Sequence, residues 1–128
     1  MKVLLDTHSL LWAAIFPEKL SRRAASMISD SSNVILVSAA SAWEIATKVR
    51  LGLLVGAEFF EFNFMDRVNV AGYHLRDISV QDGLRAGRLT GAHQDPFDRM
   101  IAAQALADDI PVISVDAKLD LFGVRRIW

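Results

Sequence analysis

Cysteine is absent from this chain. Its absence excludes a disulfide framework, a zinc site built on thiolates and a cysteine nucleophile, and it fits a reducing compartment. An excess of either charge is missing too: the formal net charge is -1, so any surface for a polyanion must be local. No apolar run approaches the roughly 20 residues that span a bilayer. The apolar stretch from Val3 to Phe16 is broken by Asp6, Thr7 and His8 and has neither a basic leader nor a cleavage site, so it does not read as a signal peptide. A soluble, cytoplasmic protein is expected. His8, His74 and His93 show no metal-ligand spacing, and His8 reads as structural rather than catalytic. Internal repeats, low-complexity tracts and linkers are absent as well.

What is present suits one domain over residues 1–128. Hydrophobic residues make up 52% of the chain. At this length roughly two thirds of the unfolded surface can be buried, enough for a core without staples. KVLL (2–5), NVILVS (33–38) and PVISV (111–115) read as buried strands, and VRRIW (124–128) as a last edge strand. Helices are expected over 9–16, 18–30, 38–52, 80–89 (with two glycines) and 95–109. Either Ser38 or Ser41 can cap the helix that follows NVILVS, with Gly52 as its stop. Residues 57–70 carry four phenylalanines and read as helical against a competing strand pattern, with most of the rings in the core; 73–79 could be a strand. The alternation of strands and helices implies an α/β fold with a mostly parallel sheet.

The acids fall at informative places. Asp6 follows the first strand and Asp116 follows PVISV; residues just past the carboxyl ends of parallel strands gather in one crevice. Glu44 lies early in the helix after the second strand, and Asp98 in the first turn of the helix before PVISV. Each also has a local reading. Asp95 can cap that helix with Pro96 at its first position, and Asp98 then favours the helix dipole. Glu44 can lie on a solvated face, and Asp6 and Asp116 can be turn residues, with Asp120 a rival to Asp116. Together these readings are less comfortable. At about 4 Å two like charges repel by about 4 kcal/mol at an effective dielectric of about 20. Basic partners, raised pKa values or a hard divalent cation must offset that, and oxygen ligands without thiolates suit Mg²⁺ or Mn²⁺.

Four ordered blocks, KVLLDTHSLLW, SAASAWEIATKVRLGLL, HQDPFDRMIAAQALADDIPVISVD and FGVRRIW, together resemble the PIN-domain ribonucleases, in particular the VapC-type toxins of bacterial toxin–antitoxin pairs. The similarity covers nearly the whole chain and is weakest over 56–78. The resemblance implies a PIN-like α/β/α sandwich and an acidic Mg²⁺ or Mn²⁺ site in which Asp6, Glu44, Asp98 and Asp116 match the metal-binding and catalytic acids. Asp6 and Asp98 are then the principal ligands. Glu44 positions or deprotonates the attacking water, and Asp116 adds ligand charge. At the fourth block Ser114 stands where threonine is common, and the aromatic that often follows the acid is displaced to Phe122. Thr7 and Ser114 match hydroxyl neighbours of the acids, and Asp95 a capping or supporting residue. The resemblance further implies an RNA substrate, a cognate antitoxin whose tail enters the active-site groove, and a homodimer.

Basic residues that could hold RNA phosphates are scattered: Arg99 beside Asp98, Lys48 and Arg50 beyond Glu44, and Arg85 and Arg88 on one helix. Two other functions compete. LLDTH would suit the nucleophilic aspartate of a phosphatase, but such sites want a second acid two residues later, where this chain has His8. A catalytically silent metal- or RNA-binding module would keep the fold without turnover.

Overall fold

In the computed structural model, which describes residues 1–128 throughout, the most apolar short run of the chain becomes the middle of the sheet. Strand β1 (Lys2–Leu5) carries Val3, Leu4 and Leu5, all wholly buried. Beside it run β2 (Val34–Ser38), with Leu5 opposite Val37, and β4 (Val112–Ile113), with Leu5 opposite Ile113. The edges are β3 (His74–Arg76) and β5 (Arg126–Ile127). The order is β3-β2-β1-β4-β5 and every pairing is parallel.

Parallel neighbours need crossovers, and helices supply most of them. They are α1 (Thr7–Ile15), α2 (Arg22–Ser29), α3 (Ala39–Arg50), α4 (Glu58–Phe62), α5 (Phe64–Val70), α6 (Val80–Arg88) and α7 (Pro96–Asp108). Strand side chains alternate between the two faces of the sheet. Val3, Leu5, Val37 and Ile113 therefore meet Leu10, Leu11, Ala24, Ile45, Phe60 and Val68 on one face. Leu4 and Val112 meet Ala40, Ile101, Ala102, Ala105, Leu119 and Phe122 on the other. Each large aliphatic side chain so buried contributes about 1.5–3 kcal/mol, and the result is the expected α/β/α sandwich.

The departures from expectation are local. The first helix begins at Thr7, two residues early, because Asp6 itself is the N-cap, accepting from the Ser9 amide at 2.8 Å. The second begins only at Arg22, capped by Ser21; Pro17–Lys19 is a separate 3₁₀ turn and Leu20 is extended. Ser38, not Ser41, caps α3. Residues 57–70 are helical but break into two at Asn63. Only two of their phenylalanines turn inward: Phe60 and Phe64 pack edge-to-face, whereas Phe59 and Phe62 are 69% and 86% exposed, so placing most of them in the core was wrong. The two glycines do not spoil α6, whose start is secured by a reciprocal Ser79–Asp82 capping box. An unanticipated 3₁₀ turn, Ala117–Phe122, follows β4.

A polar clasp joins the carboxyl ends of β2 and β3 to α6 and α7. Arg76 of β3 donates through Nη1 to Asp82 Oδ2 at 2.8 Å and through Nε to Asp108 Oδ2 at 2.9 Å. Gln104 of α7 takes the Ser38 hydroxyl at 2.6 Å and donates to the Asp77 carbonyl at 3.0 Å. Burial opposes ionisation of the Asp82 carboxyl, but hydrogen bonds from Ser79, Arg76 and Gln104 outweigh it and hold its pKa at about 2, below the ordinary 3.8. A folded pKa below the unfolded one stabilises the fold above the unfolded value, and that contribution is lost as pH falls through the folded value. Asp82→Asn is therefore expected to cost about 2 kcal/mol at pH 7. In chemical denaturation the gap between wild type and variant should close as pH is lowered from 4 to 2; a gap independent of pH would remove the charge from this account.

Candidate metal centre

The strand order decides where the acids meet. The chain runs outward from β1 through β2 to β3, then returns to lay β4 against the other side of β1. At such a reversal the loops leave the sheet in opposite directions and open a crevice at the carboxyl ends of the strands. Asp6 leaves β1 into this crevice, and Ser114 and Asp116 leave β4 into it. The second turn of α3 adds Glu44, and the first turn of α7 adds Asp98. All four acids line one cleft of about 200 Å³ with no hydrophobic residue in its wall.

Each of the four carboxylates is hydrogen-bonded to a neighbouring group. Ser114 Oγ donates to Asp6 Oδ2 at 2.5 Å and accepts the Asp116 amide at 3.0 Å, so one hydroxyl ties Asp6 to the backbone of Asp116. The other oxygen of Asp6 caps α1. Asp95 caps α7 by accepting the Asp98 amide at 2.9 Å, with Pro96 in the first turn. Asp116 also caps the 3₁₀ turn through the Lys118 amide. Its rival Asp120 is held by Arg126 at 2.9 Å and does not line the cleft. Thr7 departs from expectation: its hydroxyl meets Ser41 Oγ at 3.0 Å and fastens α1 to α3 rather than touching a carboxylate.

The electrostatics are unbalanced. Five carboxylates, those of Asp6, Glu44, Asp95, Asp98 and Asp116, share the cleft with the ammonium groups of Lys48 and Lys118. Burial pushes the Asp6 carboxyl above its ordinary range against the hydrogen bonds of Ser114 and Ser9. Burial likewise raises Asp98; the His93 hydrogen bond opposes this, and the charges of Asp95 and Glu44 add to it. Glu44 is 4% exposed. Its Oε2 is held by Lys48, while Oε1 is buried with no partner. A buried carboxylate oxygen without a donor is costly and asks for an ion or a water. Hard oxygen donors from four elements, an orphaned carboxylate oxygen and no thiolate fit Mg²⁺ or Mn²⁺.

Of the expected basic residues only Lys48 lines the cleft. Arg99 does not: its guanidinium donates to the carbonyls of His93 and Ala86, each at 3.1 Å, and of Leu89, and lies over the Phe122 ring, so its donors are spent on the loop before α7. Arg50, Arg85 and Arg88 are exposed outside the cleft. Sequence reading missed Lys118 and His93. His93 Nε2 lies 2.7 Å from Asp98 Oδ2. The one available signal was its position two residues before the cap of α7, which turns it back over the first turn of that helix.

The fold and the acidic cleft define a class, and the chain belongs to it: residues 3–124 match the PIN domain family. Three solved structures share the architecture. One is VapBC2 from Rickettsia felis bound to a DNA fragment from their promoter, 15% identical, covering 99% of this chain and 98% of that one with a TM-score of 0.71. Another is FitAcB from Neisseria gonorrhoeae, 17% identical, covering 98% and 96%, TM-score 0.63. The third is FitAB bound to an IR36 DNA fragment, 15% identical, covering 98% and 93%, TM-score 0.65. No curated protein sequence matches significantly.

The raised Asp6 carboxyl carries a stability consequence. A folded pKa above the unfolded one makes the ionised group a burden at neutral pH, a burden that fades as pH falls through the folded value. Asparagine keeps the capping oxygen and removes the charge. In metal-free protein Asp6→Asn is thus expected to raise the melting temperature by a few degrees at pH 7.5 and by less at pH 4.5. A lowered melting temperature at pH 7.5 would show that the charge is not a burden.

Proposed function

We propose that this chain is a metal-dependent endoribonuclease, the toxin of a toxin–antitoxin pair. The observation that carries the reading is the convergence of Asp6, Glu44, Asp98 and Asp116 on one polar cleft, with Glu44 Oε1 buried and unpartnered, in a PIN-domain chain. The toxin assignment is supported by the four sequence blocks and by the fold it shares with VapBC2 and FitAB.

Asp6, Asp98 and Asp116 would hold Mg²⁺ or Mn²⁺. When bound, such an ion acidifies water and offsets the charge that develops on the phosphate. The rest of the work belongs to the chain. Ser114 fixes the orientation of the Asp6 carboxylate by its hydrogen bond. Glu44 Oε1, the oxygen with no donor, accepts the proton of the attacking water. Lys48 and Lys118 at the cleft wall attract the scissile phosphate, and Arg50, Arg85 and Arg88 hold phosphates farther along the strand. The cleft is too small and too polar for a base pair to enter, which favours unpaired RNA.

The partners follow from the apolar surface. Phe59, Phe62 and Met65 are exposed on the paired short helices, beside an apolar groove of about 510 Å³ between α1 and α5. Such a surface suits a second copy and the antitoxin tail. No helix is long and apolar enough to cross a membrane, and RNA cleavage in this reading takes place in the cytoplasm.

The test is a cleavage-site map on total cellular RNA with Mg²⁺ or Mn²⁺. Cleavage at discrete unpaired sites is expected, stopped by EDTA and reduced about a hundredfold or more in Asp98→Asn. Cutting that persists in EDTA, or equally in the variant, would overturn the reading; tight Mn²⁺ binding with no RNA turnover would favour the silent module.

A further inference from the structure

His93 is held too firmly and too near the acids to be a passing neighbour. Its side chain is 12% exposed. Arg99 grips its carbonyl at 3.1 Å, and that same guanidinium also binds the carbonyls of Ala86 and Leu89, so the whole turn from α6 to α7 is pinned to the start of α7. Phe122 packs against the turn, its ring 5.9 Å from that of His93. Gly91 takes φ +132°, a backbone conformation that L side chains rarely adopt, so a substitution there would strain the turn even though an added Cβ would make only ordinary contact with the Phe122 ring at 3.4 Å.

The imidazole so placed faces the cleft. His93, Asp98 and Asp116 each present one ligand atom, and all three atoms lie within 4.8 Å of one another. The Nε2 to Oδ2 separation of His93 and Asp98 is 2.7 Å. Two neighbouring donors on one octahedral ion, each about 2.1 Å from it, are about 3 Å apart. The separation therefore changes little between a hydrogen bond and a shared ion. Glu44, which lines the same cleft, gives the second indication of a ligand: its Oε1 is buried and unpartnered.

We propose that His93 is a ligand of the ion held in this cleft, and that its nitrogen gives the site a preference for Mn²⁺ over Mg²⁺. The inference rests on the metal-dependent reading above and adds a donor of a different chemical kind to an all-oxygen set. Mg²⁺ favours oxygen and gives up its water reluctantly, whereas an imidazole suits transition metals. The four acids alone would carry no such bias.

The experiment is pulsed electron paramagnetic resonance of the protein loaded with Mn²⁺ alone, together with Mn²⁺ and Mg²⁺ affinities by calorimetry. Wild type should show coupling of Mn²⁺ to an imidazole nitrogen. The coupling should vanish in His93→Gln and persist in His8→Gln, since His8 also lines the cleft. His93→Gln should lower the ratio of Mn²⁺ to Mg²⁺ affinity about tenfold or more. His93→Asp, which restores an oxygen donor, should still bind Mn²⁺ without nitrogen coupling and with the lower ratio. Mn²⁺ binding to wild type with no nitrogen coupling, or an unchanged ratio in both His93 variants, overturns the proposal and leaves His93 a hydrogen-bond partner of Asp98. Failure of wild type to bind Mn²⁺ at all would instead remove the metal reading on which the proposal depends.

Discussion

Carboxylates in a confined space repel, and the rest of this molecule is arranged around holding several of them together. The repulsion is offset locally, by hydrogen bonds and one ion pair, and one carboxylate oxygen is left without a partner. Asp6 spends one oxygen on the amide of Ser9 and the other on the hydroxyl of Ser114. Asp98 stands in the first turn of α7, where the helix dipole favours negative charge, behind an N-cap that is itself an aspartate. Glu44 gives one oxygen to Lys48 and keeps the other. None of these partners cancels the charge outright, so the cost is carried by the two apolar layers that clamp β1 and α7 in place.

The clasp around Asp82 shows what complete compensation looks like in the same chain. Asp82 is as inaccessible to solvent as Asp6, yet its carboxyl is pulled well below the ordinary range while that of Asp6 is pushed above it. Asp6 lies deeper in the fold, and the two acids also differ in what they meet. Asp82 meets a guanidinium and an amide; Asp6 meets a hydroxyl and a helix start. Fully satisfied buried networks rigidify a fold, while an incompletely satisfied one is held back for a ligand. The contrast fits an architectural role for Arg76, Asp82, Asp108 and Gln104 and the functional role proposed for the cleft, although both are clusters of polar groups.

Much of this was legible before any coordinates. Strands as apolar as KVLL and NVILV leave little doubt about a parallel sheet, and acids immediately after such strands point to its carboxyl edge. Proximity of Asp6 to Asp116 followed from topology; that of Asp98 did not, because it depends on how the turn before α7 is folded back. That turn is set by Arg99, whose adjacency to Asp98 suggested a phosphate contact when its real partners are three backbone carbonyls 6 to 13 residues earlier. His93 was invisible for the same reason: its ligand-like position is created by a long-range clamp, not by spacing. Phe59 and Phe62 misled differently. Hydrophobicity predicts burial only where a surface exists to bury against, and the short helix that faces Phe60 to the core leaves Phe59 and Phe62 on its outer side.

The charge of the cleft also bears on the order of events and on the choice between nuclease and passive RNA module. A phosphodiester approaching this wall meets five carboxylates and two ammonium groups. In a narrow crevice the excess of carboxylates opposes a polyanion, and the two ammonium groups offset only part of that repulsion. The arginines proposed to hold RNA lie outside the cleft, on α6 and at the end of α3, so in that reading they would bind the strand without seating a phosphate among the acids. A module evolved only to bind RNA has no use for a negatively charged centre within its own binding face. The proposed nuclease would have a use for it, because the acids that repel the substrate would be the groups that recruit a cation to offset that repulsion.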